Sequence, residues 1–270
     1  MLQLPPELVL HVFSHVDVIS TFAFLDTCRA HRQLLLGIPE IWRTIVFDPS
    51  LDASVSDIYA VLRRFRSSNG LEELITCVVM DGMDQHFLSL IVMLVKFKKL
   101  RILSARDLRN SLNIEADTKV LRELLNCGTI EAKSLALRQL YIYHDYLTDR
   151  QNIRPLINVL GLVAKHSVQL DVRECGAPTT YGHLCRHLIR CLPSLPQCTC
   201  MAYFDRCHRC EPYCKVCGHT RQPPFVKPKN IGGLLGSDRW RLNLDQVGQT
   251  LSQEDEVAKE VEDAFRLFEE

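Results

Sequence analysis

Leu100-Arg101-Ile102-Leu103 and Leu135-Ala136-Leu137-Arg138-Gln139-Leu140-Tyr141-Ile142 are short apolar runs broken by an arginine, each the length of a strand and rich in residues that suit a half-buried pleated surface. Runs of the same kind occur at 42–47, 74–80, 100–104, 137–143 and 168–173, with a weaker one at 200–204. Between them the apolar spacing lengthens to three and four, which predicts helices at 56–66, 86–97, 118–127, 150–166 and 181–191. Strand and helix thus alternate at an interval of roughly thirty residues, the interval of repeat solenoids. Alternation of this kind calls for parallel strands joined by crossover helices. An open α/β solenoid and a closed doubly wound α/β domain both meet that description. No strand is followed by a phosphate-type glycine loop, which favours the solenoid.

Upstream of the repeat the pattern is helical throughout. Leu4-Pro5-Pro6-Glu7-Leu8-Val9-Leu10-His11-Val12-Phe13 opens with prolines where a helix tolerates them, because N–H groups of the first turn have no intrahelical acceptor. Leu8, Val9, Val12, Phe13 and Val16 recur at spacings that make one broad apolar stripe. A second series, Phe22, Phe24 and Leu25, leads into Cys28-Arg29; Leu34-Leu35-Leu36 follows, and Pro39-Glu40-Ile41-Trp42 closes the unit. Three short helices bury little surface alone and usually offer a face to a partner.

Taken in order, Leu4-Pro5-x-Glu7-Leu8, Val12-Phe13, Val16-Asp17, Cys28-Arg29 and Pro39-x-x-Trp42 resemble the F-box. The resemblance is confined to residues 1–48 of the 270, with its landmarks in sequence and no gap. It departs from the family at Ala30-His31, where an aromatic is usual and the planar His31 fills part of the space. What the resemblance implies is an adaptor: F-box chains dock on the Skp-type adaptor of cullin-RING ubiquitin ligases, and a C-terminal domain captures the protein to be ubiquitinated. The chemistry then belongs to other subunits. The adaptor-binding residues it implies are Leu4, Pro5, Leu8, Val12, Phe13, Phe22, Leu25 and Trp42, with Trp42 and Cys28 packing behind and Glu7 at the rim.

The runs at 100–103 and 135–142 also look like degenerate leucine-rich repeats that lack most of the turn-forming asparagines, and F-box chains commonly carry such an array. In an array of that kind outward residues on alternate strand positions bind the substrate. The candidates are Thr76, Arg101, Arg138, Tyr141, Tyr143, His144, Asp171 and Arg173.

Six of the twelve cysteines fall together, as Cys198-x-Cys200, Cys207-x-x-Cys210 and Cys214-x-x-Cys217, with His208 and His219 interleaved. Two C-x-x-C knuckles supply four thiolates from two tight turns, a set suited to tetrahedral zinc. Cys207, Cys210, Cys214 and Cys217 are the candidate ligands, with Cys198, Cys200 and His219 as alternates because Glu211-Pro212-Tyr213 is a short link between knuckles. A catalytic zinc needs an open position and a general base, and neither H-E-x-x-H nor H-x-E with P-C-x-x-C occurs. The zinc expected here is structural.

Lys and Arg number 32 and Asp and Glu 32, so no net field steers the chain to a polyanion. A basic stretch at 206–241 offers a local nucleic-acid patch, though such cations also offset thiolate charge in zinc loops. The longest apolar run, 87–95, is well short of the roughly 20 residues that span a bilayer. With no basic N-terminal region and no N-x-[ST] sequon, the expected location is the cytoplasm or nucleus, where cysteines stay reduced. The motifs G-x-S-x-G, G-x-x-x-x-G-K-[ST] and G-x-G-x-x-G are absent. Ser252-x-x-Asp255 starts a predicted final helix at 255–268.

These readings give an α/β chain in three parts: an all-α F-box unit at 1–48, an open leucine-rich-repeat-like α/β solenoid at 49–195, and at 196–270 a cysteine-rich zinc loop with a C-terminal capping helix. The expected role is non-catalytic, the substrate-recognition subunit of a Skp–cullin–F-box ubiquitin ligase. A zinc-containing scaffold or a nucleic-acid-binding protein is the alternative.

Overall fold

In the computed structural model, which describes residues 4–48, 55–67, 70–83, 89–106, 113–143, 152–191, 200, 202 and 204–221, the N-terminal stretch forms three short helices. These are α1 (Pro6–Phe13), α2 (Val18–Thr27) and α3 (Arg29–Leu36). Each has a local cause for its start. Pro6 occupies the first turn of α1. Asp17 caps α2, its Oδ1 accepting the N–H of Ile19 at 2.8 Å and of Ser20 at 3.0 Å. Cys28 caps α3 through a 3.5 Å contact from the His31 N–H to its sulfur. A 3-10 turn at Pro39–Trp42 then carries the indole inward, where Trp42 Nε1 donates to the Leu35 carbonyl at 3.0 Å.

Five strands follow in a single parallel sheet: β1 (Thr44–Val46), β2 (Cys77–Val79), β3 (Ile102–Ser104), β4 (Gln139–Tyr141) and β5 (Gln169–Leu170). Their order in the sheet is their order in the chain. Register sets Ile45, Val78, Leu103, Leu140 and Leu170 side by side, the first four of them buried. One pleat further on, Phe47, Met80, Ala105 and Ile142 are buried in the same way. A doubly wound sheet reverses strand order at a switch point, and none occurs among the described strands.

Each crossover runs through a helix: α4 (Val55–Ser67), α5 (Leu90–Lys96), α6 (Ile114–Asn126) and α7 (Arg154–Val163). Ile58, Val61, Leu62 and Phe65 make the buried stripe of α4, and Leu156, Val159, Leu160 and Val163 that of α7. Leu90 to Leu94 are all buried, so α5 is enclosed on every side, with α6 against it and α7 against α6. The α6 helix begins four residues before the expected 118 because Asn113 caps it, accepting the Ala116 N–H at 3.1 Å. Gly128, at φ +78, ends it in the left-handed conformation that suits a residue without Cβ.

The helical unit and the sheet share one core. Phe22 sits 5.2 Å from Trp42 and 4.9 Å from Phe65, and Phe65 lies 5.6 Å from Phe97. This chain of rings passes from α2 through α4 to the end of α5.

Two expectations need correction. The segment 181–191 is no helix: β6 (Val172–Glu174) and β7 (Leu188–Arg190) pair antiparallel, and the intervening arm turns at Gly176 and Gly182, both at positive φ. The strand expected over 168–173 breaks at Asp171, whose carboxylate turns inward and is fully buried. Of 200–204, the described residues 200, 202 and 204 are not in a strand. The expected helix at 255–268 and His144 lie outside the described residues. Among the described residues no helix is long and apolar enough to cross a membrane.

Candidate functional site

The β6–β7 hairpin holds two cysteines at the root of its arm. Cys175 follows β6 and Cys185 precedes β7, held by backbone bonds from the Cys175 N–H to His187 and from the Gly176 N–H to the Cys185 carbonyl, each 2.8 Å. The Cys207–Cys210 knuckle approaches this arm, and the sulfurs of Cys175, Cys185, Cys207 and Cys210 all lie within 4.8 Å of one another. Cys185 and Cys207 sulfurs are 3.7 Å apart. Four sulfurs placed tetrahedrally about an ion at about 2.3 Å stand roughly 3.8 Å from each other, whereas a disulfide would bring two to about 2.0 Å. The spacing fits a metal site of four cysteines. The Cys207 N–H also points to the Cys175 sulfur at 3.3 Å, and Arg206 donates to the Cys175 carbonyl at 2.9 Å. Burial pushes the Cys207 thiol up, with the Cys185 sulfur adding to it against the pull of neighbouring N–H groups. Four cysteine sulfurs this close repel one another once ionised, and a cation among them removes that repulsion.

A second group forms beside it from Cys200, Cys214 and Cys217, with the Cys200 and Cys214 sulfurs 3.5 Å apart. His219 Nδ1 lies 3.2 Å from the Cys217 sulfur but does not join the three sulfurs as a member of the group. Cys198 lies outside the described residues. The two clusters are compatible with zinc.

The expected ligand set is therefore divided: Cys207 and Cys210 join one group, Cys214 and Cys217 the other. The short link Glu211-Pro212-Tyr213 keeps the knuckles apart, and each completes itself with distant partners. Cys175 and Cys185 were not legible as ligands because their spacing matches no knuckle and the segment carrying Cys185 read as helix. The cations of the described part of the basic stretch serve this region. Arg221 lies 3.6 Å over the Phe204 ring and donates to the Arg206 and Glu211 carbonyls, while Lys215 pairs with Glu211 at 2.8 Å. Residues 222–241 lie outside the described residues.

At the other end of the chain the eight expected adaptor-binding residues divide by exposure. Leu8 and Val12, one turn apart along α1, are each 51% exposed; Leu4, just before the helix, is 47% exposed, and Pro5 is exposed with them. Phe13 is half-buried, its ring 5.5 Å from Phe24 and edge-on to it. Phe24 in turn stacks on His31 at 4.0 Å with the planes 17° apart, so His31 takes the packing role of the missing aromatic. Phe22, Leu25 and Trp42 are buried and belong to the core behind the helix, which corrects their assignment to the docking face. The α3 helix also leaves Leu34 and Leu36 in solvent.

The expected substrate-binding residues separate along the strands. Thr76, Arg101 and Arg138 gather at the strand starts around a pocket of about 290 Å³. Tyr141 and Tyr143 lie at the opposite ends, the first under the Arg106 guanidinium at 4.4 Å and the second under Arg190 at 5.1 Å. Asp171 is not an outward residue. Its Oδ1 accepts the Ile142 N–H at 2.8 Å and the Tyr143 N–H at 3.1 Å, and its Oδ2 pairs with Arg106 at 3.3 Å. Burial raises its carboxyl, while those N–H groups and Arg106 oppose the rise. Arg173 donates to the Asp205 carbonyl at 3.0 Å, tying β6 to the knuckle region.

The F-box-like family model matches residues 1–48, so this stretch is an F-box-like domain. Among curated proteins no match is found. The chain thus combines an F-box-like domain, a mixed helix-and-strand body and two cysteine clusters.

Proposed function

We propose that this chain is the substrate-recognition subunit of a Skp–cullin–F-box ubiquitin ligase, with no catalytic group of its own. The observation that carries the reading is that Leu8 and Val12 on the first helix of the F-box-like domain, and Leu4 just before it, are left in solvent. Single exposed apolar residues are ordinary, but a row on one helix face is what a partner covers. Buried Phe22, Leu25 and Trp42 support that face from behind, and Phe13 sits at its edge.

The remainder reads as an open leucine-rich-repeat-like stack at 49–195 that captures the substrate, followed at 196–270 by a zinc-stabilised segment. Sequential parallel strands with buried residues in register support the stack. The thiolate clusters support two structural zinc ions, which when bound would clasp the hairpin arm to the knuckles. The rate gain such a subunit gives is proximity: a substrate lysine held beside the charged conjugating enzyme reacts at a raised effective concentration. Cytoplasm or nucleus is the compartment where this work is done.

Co-expression with a Skp-type adaptor tests the reading. The native chain is expected to be recovered as a one-to-one complex, and the Leu8→Asp, Val12→Asp double variant to be recovered alone while keeping the native circular dichroism spectrum. Failure of the native chain to bind, or equal binding by the variant, removes the ligase reading.

A further inference from the structure

Two imidazoles stand side by side on the first helix. His11 lies in the last turn of α1, and the chain keeps its helical path for a few residues beyond Phe13. The Ser14 N–H donates to the Leu10 carbonyl at 2.9 Å and the His15 N–H to that of Val12 at 3.1 Å. His15 therefore sits about one turn past His11 and on the same side. The ring centroids are 5.1 Å apart, with the planes at 85° to each other. Both residues are exposed, and neither ring has a hydrogen bond or ion pair among the described residues.

This separation is the one a shared metal ion asks for. Zinc bonds an imidazole nitrogen at about 2.0 to 2.1 Å, which puts the ring centroid about 3.2 Å from the ion. Two such rings at the tetrahedral angle have centroids about 5.2 Å apart, and at a right angle about 4.5 Å. The pair stands at the tetrahedral end of that range, and imidazole is a donor that suits zinc. Two features add to the attraction for a cation. The C-terminal end of a helix carries the negative end of its dipole, and Glu7, exposed one turn before His11, adds a negative charge without joining the rings in a three-ligand group. Two protein donors leave the other positions to water, so an ion here exchanges more readily than one enclosed by four thiolates.

The pair is also part of the exposed α1 face. Positions 8, 11, 12 and 15 fall within about 100° of the helix circumference, which sets the two rings beside Leu8 and Val12. A partner that covers Leu8 and Val12 covers the imidazoles as well, and a hydrated cation caught under it would lose its water at a cost.

We propose that His11 and His15 together bind a zinc ion on the exposed face of α1, and that this ion and the Skp-type adaptor exclude one another. The metal site stands on the geometry of the two rings; the exclusion rests on the function proposed above.

Calorimetric titration of the full chain, already carrying any zinc held by its cysteine clusters, with zinc chloride tests the site. One further binding event is expected, absent from the His11→Ala, His15→Ala double variant and weakened about tenfold or more in either single variant. His166→Ala, an exposed histidine ahead of β5, is expected to keep it. Both histidines of the pair are exposed, and an unchanged circular dichroism spectrum shows that the double variant keeps its fold. No further event, or one that survives in the double variant, leaves the pair as a ring contact and overturns the site. Adaptor titration then tests the exclusion. With zinc at about ten times its dissociation constant, the apparent adaptor affinity of the native chain is expected to fall about tenfold, and that of the double variant to stay as it was. An affinity unchanged by bound zinc overturns the exclusion. A chain that binds the further ion but no adaptor keeps the metal site while the ligase reading fails.

Discussion

The Cys207 sulfur lies 3.7 Å from that of Cys185, although 22 positions of chain separate the two residues. A hairpin arm and a knuckle loop, each with little apolar core of its own, are thus held at one point. Loops closed in this way gain most from a cross-link. Purified without chelator, the protein is expected to carry two zinc ions per chain by elemental analysis. Cys185→Ser should lose one and Cys214→Ser the other, while Cys127→Ser, an exposed cysteine away from both clusters, should keep both. A metal-free chain whose melting midpoint is unmoved by chelator would count against both sites.

Within the F-box-like domain, stability and docking should separate by residue. Trp42 is packed between Phe22 and Phe65, with its N–H bonded to Leu35, so Trp42→Ala should cost about 3 to 5 kcal/mol in unfolding free energy. Leu8, half in solvent, should cost about 0.5 kcal/mol or less when changed to Ala. The adaptor measurement should run the other way, with Leu8→Ala weakening a complex by about 2 kcal/mol if it is an anchor. Urea unfolding alongside adaptor titration of both variants checks the separation.

Much of this architecture follows from patterns that need no tertiary information. Period-two runs place β1 to β4 within a few residues, and the stripes of α4 and α7 follow from spacing alone. The failures share a cause. Asp171 sits in an alternating strand pattern, where an acid reads as outward, and only the fold shows that the N–H groups of Ile142 and Tyr143 and the Arg106 guanidinium need it inside. Trp42 is a landmark of the domain and Phe22 opens its second apolar series, but a single sequence does not say whether a large aromatic faces the partner or the core. Cys175 joins the metal cluster through a hairpin whose pairing is set by Gly176 and Gly182 turning at positive φ, a conformational fact that residue spacing does not carry.

Asp171 predicts a graded mutational response. Asp171→Ala leaves two backbone N–H groups at the end of β4 without their acceptor, and each such loss costs about 1 to 3 kcal/mol. Asp171→Asn keeps a carbonyl oxygen for them and removes the ion pair with Arg106, so its cost should be clearly the smaller. Equal destabilisation of the two variants in denaturant unfolding would show that the charge, and not the acceptor, is what the position requires.

Asp117 gives the fold a pH dependence. Ser89 caps α5 by accepting the Ile91 N–H at 3.1 Å and donates its hydroxyl to Asp117 Oδ1 at 2.6 Å, while Asp117 Oδ2 is buried with no hydrogen-bond partner among the described residues. Burial pushes the Asp117 carboxyl up to about 7, with the Ser89 hydrogen bond pulling against it. The folded chain therefore holds a proton that the unfolded chain releases near its ordinary value of about 4. Stability from this group is full below that value and is lost as pH rises through about 7, by at most about 4 kcal/mol. Asp117→Asn keeps an acceptor for Ser89 and cannot ionise. Its unfolding free energy relative to the native chain should rise between about pH 5 and about pH 8, and a difference that stays flat across that range would mean that the carboxylate is solvated or paired in the folded state.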